Sequence, residues 1–200
     1  MKKLNSALMA WMSVVVLAVV FGSVSAADSQ KAMIDPVQQI MESYFATGEL
    51  LAEDSFKEID KEVEKIISAS EEILNTDEKN GAEKKNYLAS VEAIHAAARD
   101  FDSQDLKSAR ESYKSLSQAV ANYVKTYGYT DSAYSFYCPM VDQTWLQSSD
   151  KIANPFYGSE MLRCGKLTGM VKQGEYIEKK GEDKKEKTKS LSTEHKSCCG

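Results

Sequence analysis

The sequence predicts an all-α fold, an up-and-down bundle of three or four helices closed by an irregular C-terminal capping segment. Apolar residues recur at helical spacing in successive stretches between residues 35 and 128. No alternation of apolar and polar residues long enough for a strand occurs before residue 127. Because the connections between the stretches are short, we expect neighbouring helices to pack antiparallel over a bundle domain of residues 35–170.

Capping residues predict where these helices begin and end. Asp35 is suited to cap the first helix, with Pro36 at its first position. The remaining signals are Asp54-Ser55 for a second helix or a continuation of the first, Ala82 for the third, Asp102 or Ser103 for the fourth, and Gly128 for its end. The tyrosine-rich residues 127–137 could form a short strand, but we favour a loop whose rings pack on the bundle.

The first 26 residues are typical of a secretory signal peptide. Lys2 and Lys3 precede an apolar run over residues 8–21, and Val24-Ser25-Ala26 is a small-residue cleavage site. The run is shorter than the roughly 20 residues that a membrane span needs. We therefore expect a chain cleaved after Ala26, without a membrane span, that is periplasmic or secreted.

Charge and motifs exclude several function classes. The chain has a net charge of −5, and removal of Lys2 and Lys3 with the signal peptide makes the rest more acidic. An acidic surface repels phosphate backbones, so we predict no nucleic-acid binding.

Residues 171–200, rich in Lys, Glu, Ser and Thr, are predicted to form a charged, disordered tail.

Catalytic signatures are missing from the sequence. It contains no phosphate loop, dinucleotide fingerprint or His-Glu-x-x-His motif. A Cys-His-Asn set could be drawn from Cys138, His95 and Asn154, but its spacing resembles no local signature of a cysteine peptidase. We therefore predict that the protein is not an enzyme.

Residues 137–165, here called the sulfur-bracketed segment, contain the strongest candidate site. Cys138 and Met140 open the segment, and Met161 and Cys164 close it. Thiolates and thioethers are soft ligands that suit Cu(I), so these residues could form a metal site. The alternative is a structural Cys138–Cys164 disulfide, which an exported protein commonly contains. The residues by themselves leave both possibilities open.

Other donor residues are weaker candidates for the same metal. His95 is the one histidine before the tail and lies on or beside the apolar stripe of the third helix. Such a residue is more often a half-buried histidine with a neighbouring hydrogen-bond partner than a ligand. His195, Cys198 and Cys199 are soft donors at the end of the tail and are the weakest of the set.

The motifs of the segment resemble those of an exported bacterial helical domain catalogued as being of unknown function. The matching residues are Cys138-Pro139-Met140, Trp145, Asn154-Pro155-Phe156-Tyr157-Gly158 and Met161-Leu162-Arg163-Cys164-Gly165. That domain occurs alone after a signal peptide, and also at the C-terminus of periplasmic adaptor subunits of copper/silver efflux systems. The resemblance implies a bundle fold, a periplasmic setting and a link to copper. The His-Cys-Cys tail is not part of the pattern.

Two functions remain as expectations. The first is a periplasmic soft-metal protein that binds copper(I) and serves sequestration or delivery to a heavy-metal efflux adaptor or another envelope protein. The second is a non-metal protein-interaction module of the envelope with a structural disulfide.

Within the sulfur-bracketed segment, Asn154 and Gly158 are interpreted as turn residues. Trp145, Phe156 and Tyr157 are interpreted as rings that pack the loop onto the bundle.

Overall fold

The computed structural model describes residues 35–75 and 82–179 of the chain. Within these residues it contains four α-helices, a four-stranded antiparallel sheet and one short 3₁₀ helix. Their bounds are α1 Pro36–Ala52, α2 Ile59–Leu74, α3 Ala82–Arg99, α4 Leu106–Tyr127, β1 Ala133–Cys138, β2 Gln143–Gln147, the 3₁₀ helix Gly158–Glu160, β3 Lys166–Lys172 and β4 Glu175–Glu178. The predicted signal peptide and the tail donors His195, Cys198 and Cys199 lie outside the described residues.

The all-α prediction is wrong, because the chain after α4 forms a sheet with the strand order β2-β1-β3-β4. Its strands carry weak sequence signals. In β1, Ser135 and Phe136 are adjacent and both buried, and the pairing with β3 shifts between them. This irregularity removes the alternation by which a strand is recognised. Strand β4 has four residues, two of them glutamates, and it is defined by its pairing with β3.

The sheet also extends into the stretch for which a disordered tail is predicted. The end of β3 and all of β4 lie beyond residue 170. Tyr176 of β4 pairs with Val171 of β3, and its ring lies 5.7 Å from the Lys125 ammonium of α4. Paired backbone groups and a packed ring thus hold residues that look, by composition alone, like solvated tail.

Most helices begin and end close to the predicted signals, but the Asp54-Ser55 cap is wrong for α2, which begins at Ile59 after Glu58. The Asp35 carboxylate accepts a hydrogen bond from the Val37 backbone N–H at 2.8 Å, which confirms the first cap. For α4 the predicted cap is wrong by a few residues, since Asp105 is the capping residue and accepts from the Ser108 N–H at 2.8 Å. Gly128 ends α4 with a φ of +77°, a conformation that glycine adopts without steric cost.

One hydrophobic core joins the helices to the sheet. It includes buried residues from all four helices and from β1, β2 and β3. Tyr44 of α1 is central to this core, because its hydroxyl donates to Ser117 of α4 at 3.1 Å and accepts from the Leu146 N–H of β2 at 3.0 Å. Burial raises the pKa of Tyr44, so the hydroxyl stays neutral while it links three elements.

No described helix has the length and apolar character needed to cross a membrane.

Candidate metal centre

The sheet brings together the two cysteines of the sulfur-bracketed segment. Cys138 is the last residue of β1, and its neighbour Tyr137 pairs with Lys166, the first residue of β3. Cys164 lies two residues before Lys166, so it reaches the same end of the antiparallel pair. Both cysteines are buried, with 0% and 1% of their surfaces exposed, and no disulfide joins them. We call these two residues the cysteine pair.

Asn154 lies between the two cysteines. Its side-chain Nδ2 is 3.3 Å from the Cys138 Sγ and donates to the Cys164 backbone oxygen at 2.8 Å. Its Oδ1 accepts a hydrogen bond from the Phe156 N–H at 2.9 Å, which is the turn expected of an Asn-Pro sequence. One amide group therefore contacts both members of the cysteine pair.

The backbone of Asn154 closes the loop that contains Cys164. The Asn154 N–H donates to the Leu162 oxygen at 2.9 Å, and the Gly158 N–H donates to the Asn154 oxygen at 3.0 Å. At the end of this loop, the Cys164 N–H donates to the Met161 oxygen at 2.9 Å. These bonds give the irregular part of the segment a defined shape, which holds Cys164 against β1.

The two methionines of the segment differ from each other in burial. Met161 is half-buried, packs against the core, and is tied to Cys164 by the backbone bond described above. Met140 lies in the turn between β1 and β2, and 53% of its surface is exposed. The four sulfur residues therefore form a buried pair, one half-buried neighbour and one surface thioether.

His95 lies apart from this arrangement, on α3. Its Nε2 is 3.2 Å from the Glu71 Oε1 of α2, and the Arg99 guanidinium is 3.8 Å from the same carboxylate oxygen. His95 thus has the neighbouring hydrogen-bond partner that is expected of a half-buried histidine with a structural role. Across residues 35–75 and 82–179, no group of three or more His, Cys, Asp and Glu residues is placed to hold a metal ion.

A cluster of aromatic rings lies in the part of the core that adjoins the ends of β1 and the loop before β3. The Trp145 ring stacks on Phe136 with centroids 5.4 Å apart, and it meets Phe156 edge-on at 5.8 Å. Trp145 also lies against Gly165, since a β-carbon built at Gly165 would be 2.7 Å from the Trp145 Cη2. Gly165 follows Cys164 directly, so the indole packs against the backbone beside that cysteine.

An ion pair attaches the segment to the helices, and its contacts with the segment were not predicted from the sequence. The Arg110 guanidinium of α4 donates to the Pro155 oxygen at 3.1 Å, the Leu51 oxygen at 2.9 Å and the Asp54 carboxylate at 2.5 Å. Asp54 also accepts from the Ser159 N–H at 3.1 Å. Hydrogen bonds from Ser159 and Arg110 lower the pKa of Asp54 below its ordinary value of 3.8.

Comparisons with known proteins do not extend this description. No family model, no curated protein and no solved structure matches the chain. The arguments for its function therefore start from the chemistry of the residues just described.

Proposed function

We propose that this protein is an exported soft-metal protein that binds Cu(I) through Cys138 and Cys164. Its role would be sequestration or delivery of the ion to an efflux adaptor or another envelope protein. The observation that carries the proposal is the contact of one buried amide, that of Asn154, with both cysteines. A thiolate site for Cu(I) needs at least two sulfur donors, and this amide ties the Cys138 sulfur to the backbone of Cys164.

The surroundings of the cysteine pair favour a soft monovalent ion. Both cysteines are buried, and hard cations such as Mg²⁺ and Ca²⁺ prefer carboxylate, carbonyl and water oxygens. Cu(I) is stable with a small number of sulfur ligands. Two thiolates would carry the site, and Met161, whose backbone oxygen accepts from the Cys164 N–H, would add a third sulfur from the same loop.

Met140 suits a different part of the same function. As an exposed thioether two residues after Cys138, it offers a weak ligand at the protein surface. An ion received there would travel only the length of the β1–β2 turn to reach the buried pair. This division between a surface donor and a buried pair is what delivery, as opposed to permanent storage, requires.

The alternative function is a non-metal interaction module in which Cys138 and Cys164 form a disulfide. The pairing of β1 with β3 favours it, because Cys138 ends β1 and Cys164 lies two residues before β3, at the same end of the pair. In this case the bond would close a loop of about 26 residues and stabilise the fold by roughly 3 kcal/mol. The redox state of the pair in the exported protein separates the two functions.

A Cu(I) competition titration against a coloured chelator tests the proposal. The fully reduced protein, with Cys198 and Cys199 replaced by serine, should bind one Cu(I) per chain. The further change Cys138→Ser/Cys164→Ser should abolish this binding. Met161→Leu should weaken it by about tenfold, which corresponds to 1.4 kcal/mol. A thiol count on protein isolated without reductant completes the test, and absence of binding together with two oxidised cysteines would support the disulfide module instead.

A further inference from the structure

Asn154 is more than the start of a turn. Asn154 is fully buried, and its side chain and backbone together make five hydrogen bonds. Only one of these, the Oδ1 bond from Phe156, is needed for the turn that the Asn-Pro sequence predicts. The two Nδ2 contacts instead reach the cysteine pair, so the side chain has a role that the turn does not explain.

The partners of the amide determine which of its ends faces the sulfur. The Phe156 N–H can only donate, so the atom beside it must be the Asn154 oxygen. The Cys164 carbonyl can only accept, so the atom beside it must be the NH₂ group. Two backbone groups thus exclude a flipped amide, and the group 3.3 Å from the Cys138 Sγ is a hydrogen-bond donor.

We infer that Asn154 is a positioning residue for the metal site and that its N–H donates to the Cys138 sulfur when the ion is bound. This inference rests on the proposed function. Sulfur accepts a hydrogen bond more strongly as a thiolate than as a thiol, and the thiolate is the form that binds metals. Because the other N–H is held by the Cys164 backbone oxygen, the same amide fixes that backbone relative to the Cys138 sulfur. A partner of this kind orients a ligand and tunes its affinity without touching the ion.

Exchange of this amide for a carboxylate provides the test. Asn154→Asp keeps the size of the side chain but puts an acceptor next to the Cys138 sulfur and the Cys164 carbonyl. Gln147→Glu is the matched control, because Gln147 is also a buried amide that donates to two backbone oxygens, those of Ser149 and Lys151. In the background without tail cysteines, Asn154→Asp should weaken Cu(I) binding by about 10- to 100-fold, and Gln147→Glu by less than about threefold.

A second measurement needs no variant at Asn154. Cu(I) is diamagnetic, so the side-chain amide resonances of the unaltered protein can be followed by NMR during the titration. The Asn154 NH₂ resonances should shift in step with Cu(I) binding, and those of Gln147 should stay in place. This readout keeps the inference open to refutation even if Asn154→Asp does not fold.

The outcomes separate this inference from the proposed function. A reduced protein that binds no Cu(I) would overturn both. A protein that binds Cu(I) while its Asn154 amide resonances stay unchanged would overturn only the positioning role. The positioning role would also be overturned if Gln147→Glu lowered the Cu(I) affinity as much as Asn154→Asp, since the effect would then come from loosening of the segment.

Discussion

The cysteine pair and His95 both carry donor atoms for a soft metal, yet their surroundings differ in kind. Cys138 at the end of β1 and Cys164 in the loop before β3 are both buried, and a neutral amide contacts both. His95 lies between two helices with a carboxylate at 3.2 Å, and that carboxylate is half-exposed and shared with Arg99. A donor residue therefore becomes a candidate ligand through its neighbours and not through its residue type.

The two regions also differ in how they are assembled. His95 and Arg99 are one helical turn apart, so their proximity is local, and the surface around them is an ordinary ion-pair network. Cys138 and Cys164 are 26 positions apart in sequence and meet only because β1 pairs with β3. Ion pairs on exposed helix faces contribute little to stability, whereas groups inside the sheet are coupled to the core.

The largest expected effect comes from breaking the packing beside the cysteine pair. Gly165 has a φ of +148°, and a β-carbon there would collide with Trp145 and Ile152. Gly165→Ala should therefore lower the free energy of unfolding by about 3 kcal/mol. Urea unfolding followed by circular dichroism measures this loss. Gly174→Ala is the control, because its φ is +84° but no atom lies within 4 Å of the added carbon.

For the control we expect a loss of about 1 kcal/mol, which is the cost of the backbone conformation alone. Equal losses in the two variants would show that contact with Trp145 is unimportant. The region beside the cysteine pair would then be no more tightly packed than the β3–β4 turn.

A medium effect is expected where the segment is attached to the helices. Since the pKa of Asp54 is lowered in the folded state, its ionised form stabilises the fold at pH values above its ordinary value of 3.8. That contribution is lost as the pH falls through the folded-state pKa. Wild type should thus be more stable than Asp54→Asn at pH 7, and the difference should shrink when the pH is lowered below 3.8.

Urea unfolding between pH 7 and pH 2.5 checks this dependence. Glu53→Gln, at the exposed neighbouring position, controls for the change in net charge. A gap between wild type and Asp54→Asn that stays constant over this range would mean that the Asp54 carboxylate is not what attaches the segment to the helices.

The smallest effect is expected at His95. His95→Gln keeps a group that can donate to Glu71, so the free energy of unfolding should change by less than about 1 kcal/mol. The Cu(I) affinity should stay within about twofold of wild type, because in residues 35–75 and 82–179 His95 belongs to no group of three or more His, Cys, Asp and Glu residues. Titration of this variant alongside Cys138→Ser tests the comparison directly. A loss at His95 as large as that at Cys138 would place the ion on the helices and reverse the conclusion.

Local chemistry explains which parts of the molecule could be predicted from the sequence. The four helices follow from apolar spacing and from caps such as Asp35, all of which act within a few residues. The cysteines were recognisable as candidates because sulfur chemistry does not depend on the fold. Asn154 was recognisable only as a turn residue, since its bond to Phe156 is local and its contacts with Cys138 and Cys164 are not.

The sequence alone determined the helical half of this protein and the identity of its soft donors. Tertiary structure decided the rest, from the sheet that replaces the expected capping segment to the choice among donor residues. The physical reason is that a strand acquires its stability from its partners, and β1 pairs not only with the nearby β2 but also with β3, where Tyr137 meets Lys166. The meeting of Cys138, Asn154 and Cys164 is a consequence of that pairing.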